Sequence, residues 1–298
     1  MPITSTPLRY PGGKSQLRPF VRELLLYNDF YPSVYFEPFC GGAGIAIDLL
    51  ISSKVDEIIL NDADRGIFSF WYAVLNDVDR FCSVIESTII SVEEWRKQRE
   101  IYRSLNDSCT KKKPVVYDFD LAFATFFLNR TNVSGVIEGG CIGGLQQTGK
   151  YRLDARFNKI NLIKKIEKIN SHKERISLFG MDGLELLDFF TSGEMGVQSD
   201  NVLSFIDPPY VAQGKNLYLN FFSLEDHRRL SDLLLRMTDY RWILTYDDCE
   251  YVRKIYSEFD MRSLNVRYSA NRRMISSEII VLSPFFKKFS NPLLGEIF

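Results

Sequence analysis

Val202-Leu203-Ser204-Phe205-Ile206-Asp207-Pro208-Pro209-Tyr210 joins an apolar run to an acid, two prolines and an aromatic residue. A five-residue, largely apolar run that stops at a proline turn has the length and boundaries of a buried strand. Two successive prolines offer no backbone N–H and disfavour helix, so the chain leaves the strand extended. A carboxylate, two proline carbonyls and an aromatic ring are thereby fixed on one short, stiff segment at the strand's C-terminal end. In open α/β sheets that end is where ligands bind.

Outward from this stretch the same pattern of strand followed by helix recurs. Val34-Tyr35-Phe36-Glu37 runs into a glycine cluster, and Ile45 to Ile51 then reads as a helix. Glu57-Ile58-Ile59-Leu60 ends at Asn61-Asp62 and precedes an apolar helix from about Gly66 to Leu75. Ile176-Ser177-Leu178-Phe179 precedes a helix over Leu184 to Phe190. A helix over Leu224 to Met237, with Ser223 as N-cap and Asp226 three residues on, leads to the strand Trp242-Ile243-Leu244-Thr245. Met261 to Tyr268 and Glu278 to Leu282 read as a hairpin joined by a loop over Ser269 to Ser276. Such alternation predicts an α/β fold: a Rossmann-like parallel sheet covered on both faces, with a C-terminal β-hairpin.

The alternation breaks between Asn76 and Asn170, where the pattern predicts helices near Val92 to Leu105 and Tyr117 to Leu128. A glycine-rich loop follows, Thr131 to Lys150, with six glycines and no period. Long irregular loops in compact domains are usually functional. From Glu94 to Arg175 there are 17 Lys or Arg against 9 Asp or Glu, although the whole chain carries a net charge of -1. A basic block in an otherwise acidic chain is the footprint of a segment that meets phosphates. We therefore expect residues 76–170 to form a mostly helical insertion into a domain made of residues 1–75 and 171–298.

Composition narrows the classes further. The 298 residues, 45% of them hydrophobic, suffice for a sizeable core. No stretch nears the roughly 20 apolar residues that a membrane helix needs, so no membrane association is expected. The five cysteines are scattered without a Cys-x-x-Cys pair, which argues against zinc or a disulfide framework and for reduced thiols in a cytoplasmic protein.

Three clusters carry chemistry. The Asp207-Pro208-Pro209-Tyr210 segment suits an amino group on a flat ring. Asp207 accepts one amine hydrogen, a backbone carbonyl such as that of Pro208 accepts the other, and Tyr210 stacks on the ring. An aromatic amine is a poor nucleophile because its lone pair is delocalised. Two acceptors draw it toward tetrahedral geometry, which is catalysis by positioning and electrostatics. The second cluster, Phe36-Glu37-Pro38-Phe39-Cys40-Gly41-Gly42-Ala43-Gly44, lets backbone approach a cofactor closely. Its Gly42-x-Gly44 lacks a third glycine, Ile47 standing in that place, which counts against NAD. Asp62, at the next strand end, is set to accept hydrogen bonds from a ribose. The third, Arg9-Tyr10-Pro11-Gly12-Gly13-Lys14-Ser15, has Leu8 where a phosphate-binding loop needs glycine, and no strand precedes it. Its lysine and aromatic suit a cofactor carboxylate and an adenine or methyl-sulfonium group instead.

Taken in order, these motifs resemble the Dam-type, alpha-class adenine-specific DNA methyltransferases over nearly the full chain. That family reads an aromatic-x-Gly-Gly-Lys motif, a Glu-Pro-Phe-x-Gly-x-Gly loop, an acidic strand end, a target-recognition insertion and Asp-Pro-Pro-Tyr. The resemblance implies S-adenosylmethionine as cofactor, contacted by Tyr10, Lys14, Asp62 and Asp207, with Phe39, Gly41 and Gly42 around its methionine end. Asp182, in Phe179-Gly180-Met181-Asp182, resembles the third-strand cofactor motif, and Ser276-Ser277-Glu278, after Arg272 and Arg273, a late C-terminal one. It also implies double-stranded DNA as partner, no metal, and room for a cognate restriction endonuclease. Arg130, Lys150, Arg152 and Arg156 of the insertion are the candidate DNA contacts. Relatives that read GATC continue past an Asn-Arg pair into Arg-x-Asn and Phe-Asn-x-Pro. Here Asn129-Arg130 is followed instead by Gly139 to Gln147 and then Arg156-Phe157-Asn158. Amino methylation of RNA or of cytosine remains an alternative, although cytosine members usually carry Ser in place of Asp207. A DNA-binding protein without activity on the same fold is another.

Overall fold

Seven strands form one sheet in a computed structural model that describes residues 4–9, 14–106, 115–211, 222–268 and 274–286. They are β1 (Val34–Glu37), β2 (Glu57–Asn61), β3 (Ile176–Phe179), β4 (Val202–Ile206), β5 (Arg241–Asp247), β6 (Met261–Tyr268) and β7 (Met274–Leu282). The order is β3-β2-β1-β4-β5-β7-β6. The first five strands are parallel to their neighbours, and β7 enters antiparallel between β5 and β6. All five residues of β4 are buried, as expected of a central parallel strand covered on both faces. Strand order reverses between β1 and β4, which are paired from Val34↔Val202 to Phe36↔Ser204. Such a switch point opens a crevice at the strands' C-terminal ends.

The described helices are α1 (Arg18–Tyr27), α2 (Gly44–Ile51), α3 (Arg65–Asn76), α4 (Val78–Ser87), α5 (Val92–Leu105), α6 (Phe119–Thr131), α7 (Lys159–Asn170), α8 (Gly183–Thr191), α9 (Leu224–Arg236) and α10 (Glu250–Ile255). Side-chain caps set many of their starts. Asp64, Ser91, Asp118, Asn158 and Asp182 each accept a backbone N–H of the first turn. Ser223 and Asp226 close the capping box predicted for α9. The α/β architecture with a C-terminal hairpin is as the sequence pattern implied.

Two features differ from the sequence reading. Strand β7 begins at Met274, four residues before the predicted Glu278, and Ser276 pairs with Val266 in the ladder. Backbone hydrogen bonds hold a ladder whatever its side chains, so polar Ser276 and Ser277 read as loop but pair as strand. Helices α1, α4, α7 and α10 were not anticipated. The helices of residues 76–170 share a core with the sheet. In one hydrophobic cluster, Phe81, Phe126 and Phe157 join Phe70 and Trp71 of α3 and Tyr35 of β1. The Phe70 and Phe126 rings stack at 5.8 Å and 8°. Almost every residue of α6 is buried, which marks it as a central helix of that core.

Candidate active site

At the end of β1 the chain turns sharply into α2. Gly41 has φ 44, where a side chain would be strained, and Ala43 takes the same φ as the N-cap of α2. The turn is tied to β2. Asp62 accepts the Gly41 N–H through Oδ2 (2.8 Å) and the Asp64 N–H through Oδ1 (2.9 Å). The Trp71 indole donates to the Gly41 carbonyl at 2.9 Å. Asn61, fully buried, joins the ends of three strands: its Nδ2 donates to the carbonyls of Pro38 (2.8 Å) and Met181 (3.0 Å), and its Oδ1 accepts the Met181 N–H (3.0 Å). The next turn carries Asp182, whose Oδ1 accepts the N–H groups of Leu184 and Glu185. Gly183 leaves room for the Phe39 ring, since a Cβ there would lie 2.4 Å from it. Phe39 in turn meets Phe222 edge-on at 5.8 Å.

Burial governs the acids of this edge. The Asp62 carboxyl is pushed up to about 7 by desolvation and by neighbouring Asp64, against the pull of its two backbone donors. Glu37, inside β1, is pushed up to about 8 by desolvation, with Tyr35 and the Ala46 N–H opposing. Desolvation also pushes the Cys40 thiol well up, and the Asp62 and Glu37 carboxylates add to it.

The second half of the site follows β4. Asp207 Oδ1 accepts a hydrogen bond from Thr245 Oγ1 at 2.7 Å and lies 3.1 Å from Lys14 Nζ. The Asp207 side chain is 25% exposed and Lys14 6%, so the carboxylate faces outward while its cation lies behind it. Lys14 Nζ donates to the Tyr210 hydroxyl at 2.5 Å and lies 3.6 Å from Glu278 Oε2. Tyr210 is buried, with its ring centroid 6.0 Å from that of Tyr246. Pro208 is buried and Pro209 half-buried. Glu278 is pushed up to about 7 by desolvation; Lys14 opposes this and Asp207 adds to it.

The residues picked out from sequence therefore assemble. Phe39, Gly41, Gly42, Asp62 and Asp182 lie on the turns after β1, β2 and β3, and Asp207 to Tyr210 on the segment after β4. Lys14 bridges the latter rather than the glycine loop. Tyr10, Gly12 and Gly13 lie outside the described residues, as do Arg272 and Arg273. Sequence reasoning missed Thr245 and assigned no site role to Glu278 or Asn61. The Ser276-Ser277-Glu278 motif, followed by the apolar run Ile279 to Leu282, was the available signal for Glu278.

The basic residues of the insertion divide in two. Arg130 turns inward: Nε donates to the Arg156 carbonyl at 2.8 Å, Nη2 to the same oxygen, and Nη1 to the Pro7 carbonyl at 3.3 Å. Desolvation, and then Arg9 and Arg156, push its guanidinium down to about 9. Lys150 and Arg152 are exposed, and Arg156 half-exposed. Lys150 and Arg156 approach the exposed Tyr151 ring to 5.8 and 5.6 Å, and Arg152 donates to the Gln147 carbonyl. Asn129, fully buried, pairs with Arg9 in both directions: its Nδ2 donates to the Arg9 carbonyl (2.9 Å) and its Oδ1 accepts the Arg9 N–H (2.8 Å). Among the described residues no group of three or more His, Cys, Asp or Glu is arranged to hold a metal. No helix there is long and apolar enough to cross a membrane.

A family profile described as D12 class N6 adenine-specific DNA methyltransferase matches residues 10–270. Among solved structures, the rRNA methyltransferase AviRa from Streptomyces viridochromogenes is similar over 93% of this chain and 88% of its own, at 10% identity and a TM-score of 0.39. The SMU.472 protein in complex with SAH is similar over 55% of this chain and 45% of its own, at 7% identity and a TM-score of 0.25.

Proposed function

The chain belongs to the D12 class N6 adenine-specific DNA methyltransferase family, and from that premise we propose that it moves a methyl group from S-adenosylmethionine to the 6-amino group of adenine at a specific site in duplex DNA. One observation carries the proposal. Asp207 stands at the C-terminal end of β4, at the sheet's switch point, with Oδ1 held by Thr245 and Lys14 and its carboxylate reaching solvent.

The residues of the neighbouring edge fit the cofactor. Asp62 places a carboxylate at a strand end, as a ribose diol requires. Gly41 and Gly42 present backbone without side chains to the methionine end, and Phe39 and Asp182 wall the far side of the same edge. Tyr10 keeps its place in this reading by sequence order alone. Bound there, S-adenosylmethionine supplies an electrophilic methyl group.

The chain's own residues supply acceptors and alignment. Asp207 takes one amine hydrogen and the Pro208 carbonyl the other, so that the nitrogen lone pair turns out of the ring plane. Pro209 offers no competing donor and keeps the segment extended. Tyr210, braced by Lys14, offers a ring to the extruded base and offsets part of the cost of unstacking it. In the insertion, Lys150, Arg152 and Arg156 are the proposed contacts to DNA.

The test is transfer of a labelled methyl group to duplex DNA by the wild-type protein and by Asp207→Ala. The variant should fold and lose at least about 100-fold in rate, the usual cost of one lost electrostatic partner. Retention of more than about a tenth of the rate would end the assignment of Asp207.

A further inference from the structure

Lys14 is a single buried cation that meets two carboxylates. Its Nζ lies 3.1 Å from Asp207 Oδ1 and 3.6 Å from Glu278 Oε2, and Glu278 has no exposed surface. The two acids come from different parts of the fold, one from the segment after β4 and the other from β7. We infer that Glu278 is a positioning residue for methyl transfer, balancing the charge of Lys14 so that Asp207 keeps its full strength as a hydrogen-bond acceptor. The inference rests on Asp207 being the acceptor of the amine.

A carboxylate that already shares its charge with a cation is a weaker hydrogen-bond acceptor toward a third group. When Glu278 is neutral, more of the charge of Lys14 falls on Asp207. When Glu278 ionises, it takes a share and Asp207 recovers. Among the described residues, the titratable groups facing Glu278 are Lys14, from the segment before α1, and Asp207 and Tyr210, from the segment after β4. Asp247, its partner across the β5–β7 ladder, accepts the Val211 N–H at 3.1 Å. Burial holds the Glu278 carboxyl near neutrality, at about 7, so both forms are accessible at ordinary pH.

The experiment compares kcat of the wild type and Glu278→Gln from about pH 5.5 to about pH 8.5, with both substrates saturating. Gln matches the neutral acid in shape and cannot ionise. The ratio of wild type to variant should be near one at the acid end and rise to about tenfold at the alkaline end. Donor KM should stay within a few-fold. Taking the ratio cancels every other titrating acid, Asp62 and Glu37 included. A ratio constant across the range, whether one or larger, overturns the inference, because a packing role has no reason to follow pH. In the unsubstituted protein, carboxyl-carbon NMR should show Glu278 titrating where kcat rises. A Glu278 that stays protonated throughout overturns the inference as well. Asp207→Ala, assayed alongside, should be inactive at every pH. If it is active, the reading of the site fails, independently of Glu278.

Discussion

Glu37 illustrates how much a single buried acid contributes to the behaviour of this site. It closes β1, an inner strand of the sheet, and desolvation lifts it to about 8, whereas in the unfolded chain it ionises near its ordinary value of 4.5. Between those two values the native state binds the proton that the unfolded state has released. Stability from this residue is therefore fully present below about pH 4.5 and is lost as pH rises through about 8. Glu37→Gln removes that loss. Its urea midpoint, compared with wild type, should improve steadily between about pH 5 and about pH 8.5. A difference that does not move with pH would mean that Glu37 is ionised in the folded protein. The residue types of the site were largely readable in advance, because Asp-Pro-Pro-Tyr and the glycine loop are contiguous. Thr245 was not, because it reaches Asp207 from a strand that neighbours the site only in three dimensions, and the motif that holds Glu278 did not indicate its pairing with Lys14.

At the scale of elements, the start of α8 sets how the Phe39 loop lies. A Cβ on Gly183 would come 2.4 Å from Phe39 Cε1 and 2.6 Å from Cζ, so the ring has to move. Gly183→Ala should cost about 1–3 kcal/mol of stability, the usual range for overpacking. It should also weaken S-adenosylmethionine binding, since Phe39 stands in the proposed cofactor wall. Gly140→Ala is the control: nothing lies within 4 Å of its added Cβ, and it should change stability by no more than about 0.5 kcal/mol. Calorimetric titration with the methyl donor decides the matter. If Gly183→Ala binds it normally, Phe39 does not shape the cofactor site. Six of the ten described helices start at a side-chain cap, Ser223 with Asp226 among them. The start of β7 carried no such signal, because ladder pairing overrides the polar character of Ser276 and Ser277.

Over the whole molecule, the basic segment of residues 76–170 is tied into the body of the protein. Asn129 pairs with the backbone of Arg9, and Arg130 caps the carbonyls of Pro7 and Arg156. The N-terminal segment that leads to Lys14 is thus held by the same helix end that begins the glycine-rich loop. Two classes of arginine follow. Arg130→Ala should destabilise the fold by about 1–3 kcal/mol, because buried carbonyls lose their donors, and should leave the salt dependence of DNA binding nearly unchanged. Lys150→Ala and Arg152→Ala should leave stability nearly unchanged. If they contact phosphate, each should flatten the logarithmic salt slope by about one unit. If Arg152 reads a base, it should relax discrimination at one position and cost about 1–3 kcal/mol there. Methylation of a library of single-base-substituted sites separates these outcomes. Unchanged slope and unchanged preference in both variants would move recognition elsewhere in the chain.

Local sequence specifies the grammar of this protein: apolar runs of strand length, helix caps, a stiff proline segment after a strand and glycines where backbone must turn tightly. Those are short-range properties, dictated by sterics and solvation within a few residues. The order of motifs along the chain was enough to indicate the family. Only the tertiary structure decided that β7 enters between β5 and β6 and that Glu278 thereby shares Lys14 with Asp207. It alone decided that Arg130 turns inward while Lys150 and Arg152 stay exposed. Each of these depends on which distant segments pack together, and charge pairing and burial are properties of neighbours in space that a residue's place in the chain does not specify.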